Sequence, residues 1–134
     1  MSKQHKQYGV LPYFKKSGKI KIILITSRSS KQWIVPKGNQ MPHRTKRESA
    51  LQEAYEEAGL IGLLDKKQKF RISIMSHGKK TDLTLYPMRI NRPMIKKWPE
   101  KHQRKRIEVT CEEAQSLVVW PEFKAFMKLW KKSF

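Results

Sequence analysis

Apolar residues recur every second position in some stretches of the chain and every three to four in others, and the two periods predict strands and helices. YGVLPYF (8–14) and KIKIILITSR (19–28) read as two strands joined by a turn at KKSG. In KIKII, Lys19 and Lys21 fall on one face and Ile20 and Ile22 on the other, because successive side chains of a strand point to opposite sides. A polar loop, SRSSKQ, leads into WIVPKGN, a short apolar strand ended by Pro36 and Gly38. The spacing then predicts a helix over 46–58, with Thr45 as N-cap, Glu48 closing a capping box and Gly59 as a left-handed C-terminal cap. KFRISIMS (69–76) and TDLTLYPMRI (81–90) predict a hairpin across HGKK, with Pro87 at an edge or strand end because proline cannot donate to a ladder. RKRIEVT (104–110) is a further strand. In PEFKAFMKLWKKSF, Phe123, Phe126, Met127 and Trp130 share one helical face, which is expected to pack into the core. Residues 1–6 read as a short flexible basic tail, and the mixture of elements predicts a single α/β domain over 1–134.

Composition adds a strong bias of charge. The 134 residues carry 30 Lys and Arg against 11 Asp and Glu, a net charge of +19, which favours anionic partners such as nucleic acid or polyphosphate. With 38% hydrophobic residues, four Trp, four Tyr and five Phe, the chain has too much apolar material to be disordered. The single cysteine, Cys111, excludes an internal disulfide, has no base beside it, and is expected to pack at a helix start. No Cys/His spacing suggests a zinc site. No apolar run approaches the roughly 18 residues of a membrane span, and the N-terminus lacks the apolar segment of a secretory signal. The expectation is a cytoplasmic monomer or homodimer with no membrane partner.

Acidic residues are scarce, yet QEAYEEAGL (52–60) holds three glutamates in five positions. On a helix Glu53 and Glu57 lie about 40° apart and Glu56 about 60° to the other side of Glu53, so all three share a face. Ala50, Leu51, Ala54, Tyr55 and Ala58 fall mainly on the opposite side, expected to pack on a sheet. Like charges at these spacings repel, by a few tenths of a kcal/mol per pair when solvated. Neighbouring Lys and Arg, or a divalent cation, would offset that repulsion; Mg²⁺ suits carboxylate oxygens completed by water and substrate phosphate.

Upstream, a strand ends in a Pro-Lys-Gly turn and a six-residue loop before the helix. PKGNQMPHRTKRESALQEAYEEAGL resembles the Nudix box: Gly, five residues, Glu, seven residues, then Arg-Glu-apolar-x-Glu-Glu-x-Gly-apolar. Gly38, Glu53, Ala54, Glu56, Glu57, Gly59 and Leu60 fall in register. Two positions depart: Arg44 stands at the first Glu and Gln52 at the Arg. In Nudix proteins those two commonly form an ion pair bracing loop against helix, so the departure bears on loop rigidity and rate. Arg44 is free to reach solvent or a substrate phosphate. SRSSKQWIVPKG and WPEKHQRKRIEV are further similar to the diphosphoinositol polyphosphate and diadenosine polyphosphate hydrolase branch, and the likeness spans about residues 18–130.

The resemblance implies an α/β/α sandwich with a mixed sheet and Mg²⁺-dependent, or Mn²⁺-dependent, hydrolysis of a phosphoanhydride in a nucleoside diphosphate linked to some group X or in a related polyphosphate. Glu53, Glu56 and Glu57 would be metal ligands and catalytic residues, with Glu56 or Glu57 the candidate general base and the Gly38 carbonyl an added ligand. Lys37, Arg28, Arg44, Lys19, Lys21, Arg104 and Arg106 are candidate phosphate-binding residues, and Lys79 and Lys80 extend that set. His43 and His77 lie in nearby loops. The rival reading is a catalytically weak or inactive Nudix-fold module that binds RNA or another polyanion, supported by the charge and the two departures.

Overall fold

The computed structural model describes residues 5–134. Residues 1–4 of the expected tail lie outside the described residues, whereas His5 and Lys6 already belong to the first strand. The elements are β1 (His5–Lys16), β2 (Lys19–Thr26), β3 (Trp33–Ile34), β4 (Lys37–Gly38), α1 (Lys46–Ala58), β5 (Gly62–Leu64), β6 (Phe70–Ser76), β7 (Lys79–Ile90), a 3₁₀ turn (Lys101–Gln103), β8 (Arg106–Thr110), α2 (Cys111–Leu117) and α3 (Pro121–Lys131).

β1 and β7 run parallel at the centre, from His5 opposite Thr81 to Tyr13 opposite Arg89, and the other pairings are antiparallel, so the sheet is mixed. Beyond β1 lie β4 at one end and β2 at the other, and β2 carries β3 and β8; beyond β7 lie β6 and β5. The register also fixes the layers, because residues opposite one another share a face and neighbours along a strand do not. Tyr8 and Tyr86 belong to one face, where Lys46 and Arg47 of α1 lie 5.6 and 4.7 Å from their rings. Tyr13 and Phe70 belong to the other, where Trp130 and Phe126 of α3 lie 5.1 and 4.6 Å away. The fold is therefore an α/β/α sandwich, and the middle of β1 from Gln7 to Pro12 is buried on both sides.

Both longer helices form where the pattern placed them. Thr45 and Glu48 make the reciprocal capping box of α1, and Gly59 closes it in the left-handed region at φ +65°. Ala50, Ala54 and Ala58 bury fully, and their small side chains let α1 approach β1 and β4 closely. Tyr55, expected against the sheet, is instead 37% exposed. Phe123, Phe126, Met127 and Trp130 are the buried stripe of α3. Cys111 is buried at the first position of α2, a helix too short for its period to be legible.

β5 is not among the expected strands, β1 is longer than 8–14, β8 starts at Arg106 rather than at residue 104, and the other strands differ from expectation at four points. WIVPKGN is two strands, because the Pro36 carbonyl accepts from Val10 N (3.1 Å) while β3 pairs with β2 and β4 with β1. β2 ends at Thr26, since Ser27 N donates to Gln32 O (2.8 Å) and closes the loop. The hairpin turn is only His77–Gly78, both at positive φ, so Lys79 and Lys80 lie within β7. Pro87 sits inside β7, next to a central strand rather than at an edge. Its carbonyl accepts from Asp65 N (2.9 Å), so its nitrogen faces the gap between the end of β6, opposite Leu85, and the start of β5, opposite Met88. No ladder donor is missed there.

A Cβ on residue 59 would lie 2.7 Å from the Trp98 ring, in addition to the left-handed backbone. Gly59→Ala is therefore expected to lower unfolding stability by at least about 2 kcal/mol. Urea unfolding followed by tryptophan fluorescence checks this.

Candidate active site

α1 delivers Glu53 and Glu57 to the sheet end where β4 passes. Glu57 is buried, and its Oε1 accepts from the backbone N–H of Lys37 at 3.1 Å. Its Oε2 lies 3.3 Å from Nη2 of Arg104, with both side chains under 10% exposed. The neighbouring β4 residue is glycine, and a Cβ there would displace the Glu53 carboxylate from its present position. Glycine at that point lets backbone and carboxylate share the same space, so the Glu53 oxygens lie against the turn after β4.

The segment from Trp98 to Arg104 locks this geometry. Trp98 Nε1 donates to the Glu57 carbonyl (3.1 Å), and Glu100 N donates to the Glu56 carbonyl (2.9 Å). Arg104 also donates to Glu100 Oε1 (2.9 Å, through Nε) and to the Thr26 carbonyl (3.1 Å, through Nη1). One guanidinium thus ties the helix, the end of β2 and its own loop together.

A cavity of about 600 Å³ opens above the pair, lined by Glu53, Glu57, Gly38, Lys37, Arg28 and Arg104 among others. The Lys37 amine donates to Gln7 Oε1 (2.7 Å) and Ser76 Oγ (3.2 Å). Burial lowers its pKa, Glu57 opposes that shift and Arg104 adds to it. Arg28 is exposed at the rim and donates to Gln103 Oε1 (3.2 Å). His77 also lines the cavity.

Other expected residues lie elsewhere. Glu56 is half-buried and does not line the cavity. Lys19 and Lys21 sit at the far end of β2, opposite Lys16 and Thr110, roughly 23 and 17 Å along the strand from Thr26 at about 3.3 Å per residue. Arg106 stacks on Trp98 (4.1 Å) and donates to the Ala58 carbonyl (2.8 Å) and Ile95 carbonyl (3.2 Å), which completes the C-terminus of α1. Arg44 is exposed and donates to Gln52 Oε1 (3.3 Å), so the two departures from the box meet each other with the positive end on the loop. Lys79, Lys80 and His43 are exposed outside the cavity lining.

Sequence reasoning missed Gln7, Ser76 and Glu100. Gln7 interrupts an otherwise apolar buried strand, and Glu100 stands four residues before Arg104; both were readable signals. Ser76 had none, because only the hairpin brings it to Lys37.

The pair's electrostatics follow from burial. Burial first, then the Glu57 charge, pushes the Glu53 carboxyl up to about 8. Burial raises Glu57 too, but Arg104 and the Lys37 N–H pull it back, so the proton of the pair resides on Glu53. A buried and a half-buried carboxylate that share a proton are a natural seat for a cation, which would replace it. Among the described residues no group of three His, Cys, Asp or Glu side chains is placed to hold a metal. Two carboxylates completed by substrate phosphate nevertheless suffice for Mg²⁺, so the residues present fit one. Among the described residues, no helix is long and apolar enough to cross a membrane.

No family model matches the chain. It is 32% identical over 114 residues to Nudix hydrolase 21, chloroplastic, of Arabidopsis thaliana, across 81% of this chain and 57% of that protein. It spans roughly half to two thirds of the length of the curated relatives it matches, from 47% to 65% in three further Arabidopsis Nudix hydrolases. Its fold is that of a C. elegans Ap4A hydrolase, at TM-score 0.79 and 21% identity over 97% of this chain and 98% of that one. The NUDIX domain of Shewanella oneidensis NrtR complexed with ADP ribose is similar at TM-score 0.74 and 7% identity, over 100% and 91% of the two chains. With the box in register at the cavity and a mixed sheet between helices, the chain belongs to the Nudix hydrolase family.

Proposed function

We propose that the protein is a pyrophosphohydrolase that cleaves a phosphoanhydride in a nucleoside diphosphate linked to X or a related polyphosphate, of the dinucleoside polyphosphate or diphosphoinositol polyphosphate type. The observation that carries the reading is the convergence of Glu53 and Glu57 on Gly38 inside a cavity that also contains Arg28, Lys37 and Arg104. A cavity of about 600 Å³ has room for a nucleotide-sized ligand. The Ap4A of one structural neighbour and the ADP ribose bound to another are both phosphoanhydrides, which supports the class of substrate.

Mg²⁺ or Mn²⁺ would be held by Glu53, Glu57 and the Gly38 carbonyl. When bound, it supplies charge neutralisation and Lewis-acid activation of water. The chain's own residues orient and stabilise. Arg28, at the rim, is placed to grip an outer phosphate in a bidentate manner. Arg104 and the Lys37 N–H fix the Glu57 carboxylate, so it need not reorganise as negative charge develops at phosphorus. Glu53 would release the proton of the pair to solvent when the cation binds. Glu56 stands beside Glu53, whose carboxyl its charge also raises, and its carbonyl anchors Glu100. We infer a monomer or homodimer acting on a small molecule.

Purified protein with Mg²⁺ or Mn²⁺ should turn over at least one member of a panel of dinucleoside polyphosphates, inositol pyrophosphates, nucleotide sugars and capped RNA; silence across the panel overturns the reading. Glu53→Gln and Glu57→Gln should each lower kcat by about 10²-fold or more, and Glu56→Gln by less than about tenfold. An equal loss at all three would restore Glu56 as a direct ligand.

The raised carboxyl gives a second expectation. Protonated Glu53 favours the fold below its ordinary value of 4.5, and that contribution is lost as pH rises towards about 8. In chelator, the Tm of the wild type should therefore fall across that window relative to Glu53→Gln. Added Mg²⁺ should recover it in the wild type only, as read by circular dichroism.

A further inference from the structure

A second cleft, of about 50 Å³, lies apart from the cavity and shares no lining residue with it. Lys6 and Tyr8 of β1 line it, whereas Gln7 between them lines the cavity, because neighbouring strand residues point to opposite faces. The cleft is on the α1 face. Its floor is Tyr8, Thr84 and Tyr86, which are 6%, 8% and 4% exposed. None of their hydroxyls has a hydrogen-bond partner among the described residues, although all three residues border the cleft. Among the described residues the only sealed side-chain polar atom without a partner is Trp130 Nε1, so these three hydroxyls reach solvent at the cleft, where they are free to donate to a ligand.

Its rim is basic. Lys6, Lys46, Lys69 and Arg71 surround the floor, against the single carboxylate of Asp82. Lys46 is steadied by the Tyr8 ring at 5.6 Å, and the guanidinium of Arg47 lies 4.7 Å from the Tyr86 ring. Hydroxyl donors beneath and ammonium and guanidinium donors around match an oxyanion with several acceptor oxygens. Room for a few water-sized groups admits one phosphoryl group and excludes a nucleoside.

We propose that this cleft is a phosphate-binding site separate from the candidate active site, taking a phosphoryl group either as orthophosphate or as the terminal unit of an inorganic polyphosphate chain. Tyr8, Thr84 and Tyr86 donate to its oxygens, and Lys69 and Arg71 neutralise its charge. The site does not require that the cavity be catalytic.

Titration of the metal-free full chain with orthophosphate and with tripolyphosphate, followed by calorimetry and by amide shifts, tests the proposal. Saturable binding that shifts Thr84 and Tyr86 is expected; tighter binding of tripolyphosphate identifies the chain end as the ligand, and equal affinity identifies orthophosphate. Lys69→Gln with Arg71→Gln should weaken binding about tenfold or more, and Tyr86→Phe, which keeps the ring, several-fold at unchanged Tm. Lys124→Gln with Lys128→Gln removes the same charge from α3 and should change affinity by less than about twofold. Absence of saturable binding below roughly 10 mM, equal loss in the α3 variant, or shifts confined to Lys37 and Gly38 would each overturn the site. Because no metal or turnover enters the measurement, its failure leaves the hydrolase reading standing, and loss of hydrolase activity leaves this one.

Discussion

The buried ion pair of Glu57 with Arg104 is the constraint on which the rest depends. Removing two charges from water costs several kcal/mol per ion unless the partners and their remaining hydrogen-bonding groups are satisfied. Here they are. The carboxylate also takes the Lys37 N–H, and the guanidinium also serves Glu100 and the Thr26 carbonyl. Each added bond comes from a different element, so satisfying one charge fixes α1, β4, the end of β2 and the loop from Trp98 at once. The local geometry follows from electrostatic necessity.

That constraint explains the neighbouring residues. β4 passes so near α1 that the Glu53 carboxylate occupies the space a Cβ on residue 38 would take, and Gly38 leaves it there. The loop must return over the end of α1, where Trp98 lies on Gly59 and Arg106 takes the Ala58 carbonyl that helix termination leaves free. Glu53, the carboxyl left without a cationic partner of its own, then carries the pair's proton. The site is poised between a proton and a cation because its one good counter-ion is committed to Glu57.

The net charge of +19 has a different distribution from the one its size suggests. At the cavity the cations are few and mostly engaged: Lys37 with Gln7 and Ser76, Arg104 with Glu57 and Glu100, Arg28 with Gln103. The second cleft holds four cations against one carboxylate, without any acid in the sequence of β1 to compensate. Uncompensated positive charge is therefore denser at the second cleft than at the cavity, and the net charge alone points to no particular partner.

Local signals were legible wherever a pattern closes within one element. Thr45, Glu48 and Gly59 bound α1 at the expected residues, and the stripe of α3 is its buried face, because caps and helical period depend on neighbours three to four positions away. The box spacing brought Gly38, Glu53 and Glu57 into one register before any fold was known. Long-range pairing was beyond it. Nothing near Pro87 tells that β6 leaves and β5 joins on either side of it, and nothing in KIKII tells that β2 carries Lys19 and Lys21 away from the cavity. Which arginine meets which glutamate was likewise undecided, since Arg104 and Arg106 stand two residues apart in sequence and end in different roles. The sequence by itself determined the chemical groups and the helix that displays them; tertiary structure decided which of those groups meet, because burial raises both carboxyls and only Glu57 has Arg104 and the Lys37 N–H to oppose it.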